Sequence, residues 1–191
     1  MARYARLTTV SWSPRKEAEG AEQQASNRRQ AVEMIDRAAK DGSDLVCMPE
    51  IFAQRHLTSG GNWGDWAEPI PGPTTDAVGE ACRRNSCYAV ATTVEERCGR
   101  LYNAAALVDR KGEVAGVYPG SDAPVFETDF GPVGFAICFD MNFAEVGQRL
   151  QENGARCVLW PSMYEAGTQL EFWAEQFGFY VVSSWGGHVG C

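Results

Sequence analysis

What most constrains this chain is a set of short segments made largely of consecutive apolar residues, 44–48, 88–93, 101–108, 133–138 and 157–160 among them. A strand wetted on one face alternates apolar with polar side chains, whereas a run apolar throughout must bury both faces. Between these runs stand stretches of helical period. Ala31, Ile35 and Ala38 fall on one face of a helix that Ser26 can cap and Asp41-Gly42 can end, and residues 74–85, 145–153 and 170–177 read as further helices. Residues 3–11 and 180–184 read as additional strands, and Asp109-Arg110-Lys111-Gly112 is a tight turn joining strands 101–108 and 113–118 into a hairpin. The alternation argues an α/β fold whose sheet is covered by helices.

With 191 residues, 45% of them hydrophobic and 22% charged, the chain has the material for the core of one domain, 1–191. Its 25 acidic and 17 basic residues give a formal charge of −8 with no basic block to neutralise phosphates, so nucleic acid and anionic membranes are excluded as expected partners. Residues 1–12 alternate instead of forming an apolar leader, and no apolar run approaches the length of a bilayer span, so a cytoplasmic protein is expected. Seven cysteines, an odd number without a Cys-x-x-Cys pair, suit reduced thiols. Cys82, Cys87, Cys98 and His56 lack the close paired spacing of structural zinc, and neither a metal nor a cofactor is expected.

Two residues carry the chemistry. The apolar strand 44–48 runs into Pro49-Glu50, where the proline stops the ladder and leaves Glu50 at the strand's carboxyl end. Cys138 ends the strand 133–138, and Phe139-Asp140-Met141-Asn142-Phe143 turns away toward a helix. Ligand sites of α/β sheets lie beyond the carboxyl ends of strands, so a carboxylate and a thiol can share one cavity there. Backbone N–H groups at such an exit, that of Phe139 first, can serve an oxyanion. Phe52, Met163 and Tyr164 also follow strand ends and are candidate substrate contacts.

Residues 45–52, an apolar strand ending in Pro-Glu, resemble the general-base segment of the nitrilase (carbon-nitrogen hydrolase) family, and residues 134–143, with Cys-Phe-Asp, resemble its nucleophile segment. Residues 100–105 and 109–112 are similar to the family's hairpin, and Leu159-Trp160-Pro161-Ser162 to the strand that follows the nucleophile. The resemblance implies a four-layer αββα sandwich, pairing of subunits into a dimer or higher homo-oligomer, and hydrolysis of a non-peptide carbon-nitrogen bond, an amide more readily than a nitrile. It assigns Glu50 as base and Cys138 as the nucleophile of a thioester intermediate. It also implies an oxyanion-stabilising lysine just after the hairpin's second strand. The chain's lysines are Lys16, Lys40 and Lys111, the last in the hairpin turn, and Tyr118 runs directly into Pro119-Gly120. A lysine-bearing loop between Tyr118 and Pro119 is therefore expected to be missing from this sequence, as are the family's C-terminal strands.

Two other readings stand beside this one. A Cys-His hydrolase would have to use His56 or His188. A small-molecule-binding homologue without turnover would line a pocket with Trp63, Trp66, Trp160 and Tyr164.

Overall fold

The computed structural model describes residues 4–57, 62–120 and 123–186. From the amino end, β1 (Leu7–Thr9) leads through α1 (Gly20–Lys40) to β2 (Leu45–Cys47), and α2 (Pro73–Asn85) then leads to β3 (Tyr88–Arg97), β4 (Arg100–Val108) and β5 (Val114–Tyr118). The second half runs β6 (Val125–Thr128), β7 (Gly131–Phe135), α3 (Ala144–Glu152), β8 (Cys157–Ser162), α4 (Thr168–Phe177) and β9 (Tyr180–Trp185).

The strands make two sheets, each in sequence order: β1 to β5 in one, β6 to β9 in the other. In the first, β1, β2 and β3 are parallel, with Leu45 opposite Leu7 and Tyr88, while β3, β4 and β5 form an antiparallel meander. In the second, β6 is antiparallel to β7, and β7, β8 and β9 are parallel. Each parallel step is bridged by a helix, as a parallel connection requires.

The consecutive apolar positions divide between two cores. Leu45, Cys47, Tyr88, Val90, Ala105 and Leu107 of the first sheet meet Val133, Phe135, Cys157 and Leu159 of the second. The intervening residues Val46, Ala89, Ala91, Ala106 and Val108 face outward and pack on Ala31, Ile35, Val78 and Ala81 of α1 and α2. Val158 and Trp160 do the same against Leu150, Trp173 and Phe177 of α3 and α4. The result is an α/β sandwich in four layers, αββα, with the sheet-to-sheet core in the middle. Close approach is built in where β5 passes β6: a Cβ on Gly116 would lie 2.1 Å from the Phe126 ring.

Three local expectations are corrected. α1 begins at Gly20, six residues before Ser26, so Ser26 lies buried inside the helix and donates its hydroxyl to Glu17 Oε2 at 2.6 Å instead of capping. β1 covers only Leu7–Thr9. β7 closes at Phe135, so Cys138 stands beyond the strand and opens a 3-10 turn, Cys138–Asn142.

Candidate active site

Glu50 follows the carboxyl end of β2 in the first sheet, and Cys138 follows the carboxyl end of β7 in the second. Pro49 is fixed by the Thr92 hydroxyl, which donates to its carbonyl. The chain then turns through Ile51, which adopts a left-handed φ of 40°, and swings Glu50 away from the ladder. Glu50 is 7% exposed. Asn103, near the start of β4, donates Nδ2 to Glu50 Oε1 at 2.6 Å, while Oε2 has no hydrogen-bond partner. Burial pushes the Glu50 carboxyl above the usual carboxylate range, opposed by the neighbouring Cys138 thiol, Asn103 and the Met163 N–H.

Cys138 is held with φ +47°, a left-handed conformation that is uncommon for any residue other than glycine and that costs on the order of 1–3 kcal/mol. The surroundings hold it there. Asp140 Oδ2 accepts from the Ile137 N–H at 2.7 Å and from the Tyr118 hydroxyl at 2.8 Å. Trp160 Nε1 donates to the Cys138 carbonyl at 3.0 Å, and the Tyr164 hydroxyl reaches the same oxygen at 3.4 Å. The turn is thus tied to β5, β8 and its own third residue. The Ile137 and Asp140 N–H groups are both engaged, whereas those of Cys138 and Phe139 find no acceptor among the described residues. Two successive free N–H groups at a left-handed residue form an anion-binding concavity.

Burial, and after it the Glu50 carboxylate, push the Cys138 thiol up to about 11, while the Met163 N–H and the Ser162 hydroxyl act in the opposite sense. At neutral pH the Cys138 thiol is therefore protonated. A protonated thiol becomes a nucleophile only by passing its proton to a base as it attacks, and Glu50 is the neighbouring carboxyl.

Two adjoining cavities open at this point, of about 360 Å³ and about 340 Å³. Glu50, Leu101, Tyr102 and Asn103 border both. The first is completed by Ile51, Trp63, Val94 and Met163, and the second by Cys138, Phe139, Asp140 and Ile137 with Pro119 and Gly120.

The structure brings Glu50, Cys138, Phe139 and Met163 to these walls. It does not bring Phe52, which is 1% exposed and packed beside Trp12 in the helix-side core, so Phe52 is withdrawn as a substrate contact. Tyr164 braces the Cys138 turn and packs edge-on against Trp160 instead of lining a cavity. Trp160 itself is fully buried. His56 gives its Nε2 to the Pro14 carbonyl at 2.7 Å and borders neither cavity. His188 lies outside the described residues. Lys111 follows β4 at its far end, so five residue steps along the strand, roughly 17 Å, separate Asn103 from Val108 before the turn begins. Among the described residues no cluster of three metal-ligating side chains occurs, and no helix is long and apolar enough to cross a membrane.

Asn103, Asp140 and Tyr118 are the residues that sequence reasoning passed over. Asn103 carried one signal: it is a polar residue interrupting the apolar run 101–108.

The family model described as carbon-nitrogen hydrolase matches residues 11–180, from just after β1 to the start of β9. Omega-amidase NIT2 of Mus musculus is 27% identical over 173 residues, covering 78% of this chain and 62% of the relative. Nitrilase homolog 2 of Dictyostelium discoideum is 26% identical over 173 residues, 77% of this chain and 52% of that protein. The chain thus spans less than two thirds of the length of these relatives. Among solved structures, Nit3 of Saccharomyces cerevisiae, a member of branch 10 of the nitrilase superfamily, superposes with a TM-score of 0.77 at 18% identity over 95% of this chain and 75% of that one. An amidase from Nesterenkonia sp. gives 0.75 at 18% identity over 97% and 75%. Two sheets between two helix layers, a carboxylate and a thiol at facing strand ends, and a family match over most of its length place the chain in one group: it belongs to the carbon-nitrogen hydrolase family.

Proposed function

We propose that the protein hydrolyses the carbon-nitrogen bond of a small amide, with Cys138 as nucleophile and Glu50 as general base and acid. The observation that carries this reading is the shared cavity, in which a buried carboxylate with one unpartnered oxygen faces a thiol next to two free N–H groups. In the first half-reaction the Cys138 proton passes to Glu50 while Sγ bonds to the carbonyl carbon. The N–H groups of Cys138 and Phe139 receive the oxyanion. Glu50 returns the proton to the departing nitrogen, the C–N bond breaks and ammonia leaves a thioester. Water, losing its proton to Glu50, then cleaves the C–S bond to give the acid and restore the thiol. A nitrile would enter the same cycle through a thioimidate.

The omega-amidase and amidase descriptions of the relatives support an amide substrate for this chain. A homo-oligomer in the cytoplasm is the setting proposed for it, with no cofactor. A lysine-bearing segment between Tyr118 and Pro119 of the natural chain is part of the same proposal, because Pro119 and Gly120 border the cavity and an insertion there would cover its mouth. The mass of the natural protein against the 20.9 kDa of this sequence tests that point. The catalytic reading is tested by incubating the protein with primary amides, assaying ammonia, and mapping the acid-trapped acyl adduct by peptide mass. An adduct on Cys138 and loss of ammonia release in Cys138→Ala are expected. Ammonia release undiminished in that variant would overturn the assignment. The binding-homologue reading would be favoured instead by saturable amide binding without adduct or ammonia.

A further inference from the structure

The first cavity is walled by Ile51, Trp63, Val94, Leu101 and Met163 together with Tyr102 and Asn103, and among the described residues the charged ones bordering the pair of cavities are Glu50 and Asp140, both acidic. Glu50 borders both spaces, so the first cavity offers room for the acyl chain of a substrate whose carbonyl meets Cys138 in the second. From this arrangement we infer that the site selects uncharged primary amides with a compact aliphatic acyl chain and disfavours ω-amides that carry a carboxylate. The inference rests on the hydrolase reading above and deepens it to a substrate class.

Three observations support it. The cavity of about 360 Å³ is at the lower end of small-ligand sites, which span roughly 300–1,000 Å³, so it suits a chain of a few carbons. Each methylene removed from water against such walls is worth about fourfold in affinity. A substrate carboxylate placed there would lose its hydration among apolar side chains and face the negative charge of Glu50, the state in which Glu50 must stand to act as base. Leu101 marks the rim: it is 48% exposed, borders both cavities and sits two residues before Asn103 on β4, so it lies on the same side of the strand.

A matched pair of amides tests this. Glutaramate and 5-methylhexanamide have the same length and shape, an isopropyl group replacing the carboxylate. The expected result is a kcat/KM at least 10-fold higher for 5-methylhexanamide in the native protein. Leu101→Arg, a change at an exposed rim position, should shrink or reverse that ratio by supplying a cation. A native preference for glutaramate, or a ratio that Leu101→Arg leaves unmoved, would overturn the substrate class while leaving the hydrolase reading standing. If neither amide is turned over, the hydrolase reading falls, and the substrate class is read by calorimetric binding to Cys138→Ala. Binding of the isopropyl amide alone upholds it, and equal, reversed or absent binding overturns it.

Discussion

Glu50 and Cys138 set each other's proton affinity, and the two should part company when one is changed. Burial and the adjacent carboxylate hold the thiol up near 11, so Glu50→Gln removes a charge that opposes the thiolate. The variant is expected to release at least 10³-fold less ammonia, having lost its base, and yet to alkylate faster with iodoacetamide at pH 9 than the native protein. A parallel fall in both would show that Glu50 activates the resting thiol, contrary to its effect in this structure. Stability should respond as well. A carboxyl whose folded proton affinity is raised by burial favours the folded state at low pH, and that advantage is lost as pH rises through its folded value. Glu50→Gln should therefore melt higher than the native protein at pH 8, with the difference narrowing toward the ordinary carboxylate range. The same ionisation places the acid limb of kcat/KM above that range. Cys138 reacts from a half-buried position, whereas Cys157, buried and pushed up to about 12, should alkylate more slowly.

The turn after β7 is the element on which the chemistry depends, and Asp140 is its fastening. Asp140→Ala would remove the acceptor that Asp140 Oδ2 gives to the Ile137 N–H and the Tyr118 hydroxyl, costing roughly 1–3 kcal/mol and letting the strained Cys138 relax. Displacement of the thiol by about 1 Å is expected to lower kcat about 100-fold with KM little changed. Asp140→Asn, which keeps an acceptor, should recover most of the loss, and unchanged kcat in Asp140→Ala would remove Asp140 from the positioning role. Little of this was legible in the sequence, because the fastening joins β5 to a turn 22 residues later and no local pattern encodes such a contact. What was legible followed from consecutive apolar runs: the doubly buried strands, their helices, and the strand-end placement of Glu50 and Cys138. Phe52 misled for the complementary reason. Proximity to Glu50 in sequence predicted a shared cavity, but the left-handed turn at Ile51 sends Phe52 into the helix-side core. Ser26 misled because capping chemistry and a buried contact to Glu17 use the same hydroxyl.

At the scale of the whole molecule, the proposed base Glu50 and the proposed nucleophile Cys138 follow strands of different sheets, so the core between the sheets fixes the gap between them. Leu107 and Ile35 are both fully buried, one between the sheets and one beneath α1. Either truncation to alanine should cost about 2–5 kcal/mol. Leu107→Ala is expected to lower kcat several-fold at a temperature where it remains folded, and Ile35→Ala to leave kcat near native. Equal kcat in the two variants, compared by melting curves and initial rates, would show that the gap is set locally. The division of labour between sheets has a further consequence for how the chain comes to life. The amino-terminal half carries a carboxylate with nothing to deprotonate, and the other half carries a thiol with nothing to take its proton. A half-assembled chain is chemically silent, and the first acyl adduct on Cys138 during refolding is a clock that starts when the two halves have closed on each other.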